Sequence, residues 1–337
     1  MYIFLLCVLL PIKLLACTDF LLQATDQNVV VGRSMEFGLL LNSEIIIHPS
    51  GERQVSRLET GRDGKSWLSQ YAYVGCTYFG FDKIIDGMND QGLSVEGLWL
   101  PGTEYPKISL KDPSNIIAFE DVGDWLLGTC ANLDEVKQAL QQVQIWVHPI
   151  PTLNAIPVIH FAFHDRSGKS IVVEFLHGKM EISDNPVGVL TNAPKLEWHL
   201  TNLRNYINLT ALGATPLTLD GSVLDPLGQG SGMLGIPGDW TPPSRFVRIA
   251  IFKDFVRQPT NAKENINLAL HLLNTVDIPY GAIQSKNPQE YDFTQWVVIK
   301  DLLSGKLYYR TYLDQNISEV DFQSLLKQNP TLQKLPM

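Results

Sequence analysis

The sequence predicts an α+β fold built from two β-sheets packed together with helices on their outer sides. Three observations carry this. Strand-rich and helix-rich stretches alternate in blocks: strands, helices, strands, helices, strands. The strand runs are apolar on both faces, so both faces need covering. No Pro/Ser linker, repeat or low-complexity tract interrupts the chain after Cys17, which predicts one domain over Cys17–Met337.

The elements follow in order. Phe20–Ala24 and Asn28–Arg33 flank the polar turn Thr25-Asp26-Gln27 and read as a hairpin. Glu44–Ile47, Tyr71–Phe79 and Gly92–Leu100 are rich in β-branched and aromatic residues, the last following a turn at Met88–Gln91. Phe119–Cys130 and Leu133–Val143 have helical patterns, the second capped by Asn132 with Glu135 three residues on. Val158–His164 and Ser170–Leu176 form a second hairpin around Asp165–Lys169, and Val187–Thr191 closes the block. Leu196, Leu200, Leu203, Tyr206 and Ile207 recur at helical spacing in Lys195–Asn208. Pro243–Val256 and Ala262–Val276 are further helices, and Trp296–Lys300 with Lys306–Tyr312 make a last hairpin.

The chain has 337 residues, 45% hydrophobic and 18% charged, with a formal net charge of −9. This acidic balance argues against nucleic acid and anionic membrane as partners. Met1–Ala16 is apolar almost throughout and ends in a small residue before Cys17, resembling a secretory signal peptide too short to span a bilayer. Its removal predicts an exported protein, periplasmic or secreted, not inserted in the membrane after processing. Of four cysteines, Cys7 would leave with this segment. Cys76 and Cys130 are expected as separate buried thiols, with a Cys76–Cys130 bond as the alternative. No C-x-x-C pair or His spacing points to a metal.

Gly230–Gly235 formally matches G-x-G-x-x-G, but Ile236-Pro237-Gly238-Asp239 follows and stops a helix from starting there, so a dinucleotide site is excluded. A Cys–His pair is a further possibility, yet the seven histidines are scattered without a local signature. The start of the mature chain explains more. Cleavage after Ala16 gives Cys17 a free α-amine beside its thiol. Such an amine titrates near ~8 and can take the thiol proton, so one residue supplies nucleophile and base. The hairpin brings Arg33 and Glu36 back towards this end. By themselves they would be a surface ion pair. Beside an N-terminal cysteine, the cation can stabilise the thiolate and the carboxylate can orient the amine.

Several ordered motifs extend this reading. Cys17-Thr18 and Gly32-Arg33-Ser34-Met35-Glu36 are followed by Asp86-Gly87-Met88-Asn89-Asp90-Gln91-Gly92-Leu93 and by Leu190-Thr191-Asn192-Ala193-Pro194 with Trp198-His199 and Leu203. The longest runs from Leu227 through Gly235-Ile236-Pro237-Gly238-Asp239-Trp240-Thr241-Pro242 to Ser244-Arg245-Phe246. Over nearly the whole mature chain this resembles the choloylglycine hydrolase family, N-terminal nucleophile hydrolases that include conjugated bile salt hydrolases and penicillin V acylases. The resemblance implies a four-layer αββα sandwich of two antiparallel sheets and hydrolysis of linear, non-peptide C–N amide bonds of small molecules through an acyl-thioester, with no metal or organic cofactor. By position it implies catalytic roles for Cys17 (nucleophile and base), Arg33 (thiolate partner), Glu36 (where the family commonly has Asp, bonding the amine), Asn192 (oxyanion donor) and Arg245 (charged wall). It also implies a homotetramer, with Ala211–Pro226 where relatives carry a tetramer-forming excursion.

Trp99 departs from the pattern: bile salt hydrolases carry Asn there and penicillin V acylases commonly Tyr. An indole offers no amide, so a second oxyanion donor must be a backbone N–H. Trp99 is thus expected in substrate binding, favouring aromatic or long aliphatic acyl groups. This points to an acylase of the penicillin V or acyl-homoserine lactone type, as in the Gram-negative branch of the family, with a bile salt hydrolase as the alternative. A rival of another class is a lipoprotein acylated at Cys17, since Leu14-Leu15-Ala16-Cys17 also resembles a lipobox. Lipid attachment would consume both thiol and amine.

Overall fold

The structure is a computed structural model that describes residues 16–58, 61–284 and 291–337. The proposed leader, Ala16 apart, and Cys7 lie outside these residues. The chain runs through β1 (Cys17–Gln23), β2 (Val29–Phe37) and β3 (Glu44–His48), then a ribbon of β4 (Arg53–Arg57) and β5 (Asp63–Leu68). β6 (Tyr73–Tyr78), β7 (Phe81–Asn89) and β8 (Leu93–Trp99) follow. The parallel pair β9 (Ile116–Ala118) and β10 (Gln144–Trp146) brackets α1 (Val122–Thr129) and α2 (Leu133–Gln141). Next come β11 (Ile159–Asp165), β12 (Ser170–Leu176), β13 (Lys179–Asp184), β14 (Val189–Leu190), α3 (Leu196–Asn202) and the hairpin β15 (Leu217–Leu219) and β16 (Ser222–Leu224). The chain ends with α4 (Pro242–Phe255), α5 (Ala262–Asn274), β17 (Ile283–Gln284), β18 (Tyr291–Asp301), β19 (Lys306–Thr311), β20 (Ser318–Asp321), α6 (Phe322–Gln328) and β21 (Gln333–Pro336).

Two large antiparallel sheets result, as expected. One has the order β14-β1-β2-β18-β19-β20, with β17 on β18; the other runs β13-β12-β11-β8-β7-β6-β3-β21. Helices α4 and α5 lie on the first sheet, α1 and α2 on the second. The two-faced apolar strands serve two cores. Ile45 and Ile47 of β3 join the core shared with the first sheet, while Ile46 between them belongs to the core under α1 and α2. Ala162 and Val172 against Phe161, Phe163, Ile171 and Val173 repeat this alternation of period two.

The Thr25–Gln27 turn forms as expected, closed by Ala24 N–H on Asn28 O at 2.8 Å and by Asp26, whose carboxylate accepts from Asn28 N at 2.9 Å. Asn132 caps α2, its side chain accepting from Glu135 N. Two expectations are corrected. Met88 and Asn89 end a strand and do not start the turn. Asp86 and Gly87 argue against a strand by propensity. Asp86 is held there by a buried ammonium, and at Gly87 a Cβ would meet Val74 O at 2.6 Å, so only glycine fits the close approach. The helix read over Lys195–Asn208 stops at Asn202 and continues as a 3₁₀ turn, Leu203–Tyr206. The edge strands β13, β20 and β21 are short and partly exposed, which left them without an apolar signal.

Candidate active site

The β1–β2 hairpin builds the centre. Its register sets Cys17 opposite Met35 and Asp19 opposite Arg33, so these four side chains share the face turned towards the second sheet. The Cys17 Sγ lies 3.5 Å from Arg33 Nη2 and 3.7 Å from Met35 Sδ. Arg33 is fully buried and also donates from Nη2 to Gly97 O at 2.7 Å. Burial works against its charge, but Cys17, Asp86, Asp19 and Glu36 outweigh that and leave its pKa raised. Burial likewise pushes the Cys17 thiol up, with Arg33 pulling it down as the main opposing influence.

Gly97 is available because β8 and β7 part company, although β7 itself continues to Phe81. Their last pair is Asp86 with Glu96. On the other edge Leu100 N–H donates to Val158 O, so even-numbered residues bond to β11 while Gly97 and Trp99 turn their backbone groups the opposite way. Arg33 takes the first of these carbonyls. Asn192 Nδ2 takes the second, Trp99 O, at 2.9 Å. The N–H of Trp99 leaves the strand on this same edge.

Asn192 follows β14. Its Oδ1 accepts from Cys17 N and from Arg245 Nη2, both at 2.7 Å, and these two donors fix which end of the amide is oxygen. Ala16 precedes Cys17 here, so that nitrogen is a peptide nitrogen standing where the α-amine of a cleaved chain would be. The Asn192 backbone is held by a pair of buried imidazoles: His160 Nε2 lies 2.9 Å from Thr191 O, and His199 Nε2 lies 2.9 Å from Asn192 O. Burial lowers the His199 pKa to about 4, so it is neutral and donates from Nε2 to the carbonyl. Arg245, from the first turns of α4, donates to Thr18 Oγ1 (2.7 Å), Trp240 O (2.9 Å) and Cys17 O. Burial lowers its pKa only to about 10. It thus clamps β1, α4 and Asn192 together.

Glu36 behaves differently from expectation. It is fully buried, which excludes the surface ion pair with Arg33. Residues three apart on a strand point to opposite faces, so Glu36 lies on the other side of β2 from Arg33. Its carboxylate accepts from Thr294 Oγ1 at 2.8 Å, its cross-strand partner on β18, and not from Cys17 N. Burial raises its pKa to about 7 against the pull of Arg245.

A narrow apolar cavity opens beside Cys17, with a volume of ≈ 40 Å³. Met35, Phe37, Leu41, Phe79, Trp99 and Ile159 line it. Phe37 stands edge-on to Phe79 (5.5 Å) and to Trp99 (6.2 Å). Trp99 therefore lines the cavity and, through its carbonyl, also holds the side-chain amide of Asn192.

Behind Arg33 lies a buried charge cluster the sequence reading missed. Lys300 Nζ contacts Asp86 at 2.7 Å and Glu96 at 2.6 Å, and His164 Nε2 contacts Asp19 at 2.8 Å. Asp19, Glu96 and His164 are close enough for a cation, but the Lys300 ammonium already supplies one. Its members lie far apart in sequence, on β1, β7, β8, β11 and β18, so only pairing across sheets reveals it. Cys76 and Cys130 are separate buried thiols in different cores. The Gly230–Gly235 segment is an open loop with a single 3₁₀ turn at Ser231–Met233.

Comparison with known proteins agrees with this geometry. Residues 17–329 match the family model of linear amide C–N hydrolases, choloylglycine hydrolase family. A bile salt hydrolase/transferase of Clostridium perfringens is 34% identical over 310 residues, covering 90% of this chain and 92% of that one. A crystal structure of the conjugated bile acid hydrolase of that organism superposes with a TM-score of 0.84 at 30% identity, over 95% of this chain and 97% of that one. A penicillin V acylase of Pectobacterium atrosepticum is 23% identical, over 92% of this chain and 82% of that one. The order of similarity favours the bile salt reading, which the sequence analysis had placed second. With Cys17, Arg33, Asn192 and Arg245 gathered at one buried point of a two-sheet fold, the chain belongs to the choloylglycine hydrolase family and is a linear amide C–N hydrolase of the N-terminal nucleophile type.

Proposed function

We propose that this enzyme removes an apolar acyl group from small N-acyl amides, using Cys17 as nucleophile and its freed α-amine as base. The observation that carries the reading is the apolar cavity lined by Cys17, whose sulfur meets Arg33 and whose nitrogen meets Asn192. The amine takes the thiol proton and the sulfur attacks the acyl carbon, forming a C–S bond. The electron pair moves onto oxygen, towards the second N–H of Asn192 and the backbone N–H of Trp99. Collapse breaks the C–N bond, and the leaving nitrogen takes the proton from the ammonium. Water, deprotonated by the same amine, then displaces the thiol from the thioester. Arg33 favours the thiolate, while Arg245 and the two imidazoles hold Asn192 in place.

Conjugated bile acids are the first substrates to test, because the more similar named relatives act on them. A second reading, aromatic or linear acyl groups as in penicillin V or acyl-homoserine lactones, is favoured by Trp99, whose indole narrows the cavity where bile salt hydrolases carry Asn. Measuring kcat/KM on glycocholate, taurocholate, penicillin V and N-decanoyl-homoserine lactone decides between them. A preference for the steroid conjugates supports the first; equal or slower turnover of them than of penicillin V supports the second. Comparable activity on short polar acyl groups would overturn both. Cleavage after Ala16, export and assembly into a homotetramer belong to this proposal as well. The exposed Leu217, Leu219, Val223 and Leu224 of the β15–β16 hairpin favour assembly. Among the described residues no helix is long and apolar enough to cross a membrane.

A further inference from the structure

We propose that Gln295 is a positioning residue that sets acyl-group specificity from outside the cavity. Gln295 sits at a β-bulge: Thr294 pairs with Glu36 and Trp296 with Met35, so Gln295 is the extra residue on β18. A bulge re-aims the side chain it carries. Here the carboxamide turns onto the segment that leaves β2, residues 37–41. Its Nε2 donates to Phe37 O (2.9 Å) and Leu39 O (2.7 Å), and its Oε1 accepts from Leu41 N (3.0 Å). One side chain thus satisfies three backbone groups where the chain leaves β2, residues 38–41 lying outside any strand.

The segment it holds is a cavity wall. Phe37 and Leu41 line the cavity, while Leu40 between them is 66% exposed. Leu41 O accepts from Phe79 N at 2.6 Å, which couples the segment to the second aromatic wall. Phe37 in turn stands edge-on to Trp99. The width between Phe37 and Trp99, and so the acyl group admitted, depends on where this carboxamide keeps residues 37–41. Gln295 itself is absent from the cavity lining, so it acts through the wall and touches no reacting atom. This rests on the reading that the cavity takes the acyl group.

The test uses the mature enzyme and a series of N-acyl glycines: acetyl, hexanoyl, decanoyl and cholyl. Gln295→Ala removes all three bonds. Gln295→Glu keeps the volume and the acceptor for Leu41 N but loses both donors. The expected result is that both variants stay within about twofold of wild type on acetylglycine and in the rate at which iodoacetamide alkylates Cys17. Their kcat/KM for decanoyl- relative to cholylglycine changes at least tenfold, mainly through KM. A uniform change across the series, an unchanged ratio, or loss of acetylglycine turnover and alkylation in both variants would overturn the proposal. The wild-type profile tests the acyl reading separately: equal turnover of acetyl- and decanoylglycine there would refute that reading, whatever the variants do.

Discussion

Asn192 offers the sharpest test of the mechanism, because its two amide atoms do different work. Oδ1 accepts from Cys17 N and Arg245 Nη2, while Nδ2 spends one N–H on Trp99 O. The remaining N–H is the one the proposed mechanism assigns to the oxyanion. Removing one such donor costs about 2.7–4 kcal/mol of transition-state stabilisation, or ~10²–10³ in kcat. Asn192→Ala also strands a buried guanidinium N–H, and a hydrogen bond to a charged group contributes about 1.5–3 kcal/mol to stability. Asn192→Ala should therefore lose both rate and stability, with KM changing less than kcat. Asn192→Asp separates the two. It keeps an oxygen for Arg245 and Cys17 N but turns a second oxygen towards Trp99 O and the developing oxyanion. Its urea midpoint should lie closer to wild type than that of the alanine variant, and its kcat should fall at least as far. The assay is steady-state amine release alongside urea unfolding. An aspartate variant within about tenfold of wild-type kcat would refute the donor role. Equal destabilisation of both variants would refute the role assigned to Arg245.

Intact mass of exported enzyme should show a chain beginning at unmodified Cys17; Cys17→Ser, and a chain retaining residues before Cys17, should both fold and hydrolyse nothing. Full activity of an uncleaved form would require a side-chain base instead. Trp99→Asn removes an apolar wall worth roughly 1.5–3 kcal/mol, so the kcat/KM ratio of glycocholate to penicillin V should rise about tenfold or more; a drop in kcat common to both substrates would mean that the indole serves the chemistry. Glu36 is held at about 7 by burial, above its usual 4.5, so the folded state holds this proton more tightly than the unfolded chain. That contribution is complete below pH ~4.5 and is lost as the pH rises to about 7, on the order of 3 kcal/mol over the window. Glu36→Gln, which mimics the neutral acid opposite Thr294, should gain stability relative to wild type across that range and hold the gain above it; a difference independent of pH would show that Glu36 is charged throughout.

Much was written in the sequence itself. Apolar runs serving two faces predicted stacked sheets, and Asn132 and the Thr25–Gln27 turn marked boundaries through local chemistry that needs no partner. The motifs around Cys17, Arg33, Asn192 and Arg245 identified the centre, and the structure gathers all four. What the sequence left open depends on strand pairing and parity. Arg33 and Glu36 look like partners when read along the chain, yet an odd spacing on a strand separates them onto opposite faces, and Thr294, 258 residues away, becomes the partner of Glu36. The Lys300 cluster, the Gly97 and Trp99 carbonyls freed where β8 parts from β7, and Gln295 at its bulge are likewise invisible to local patterns. Each exists only because register brings distant segments within hydrogen-bond reach, and a register is a property of the folded sheets, held by cores that no single segment contains.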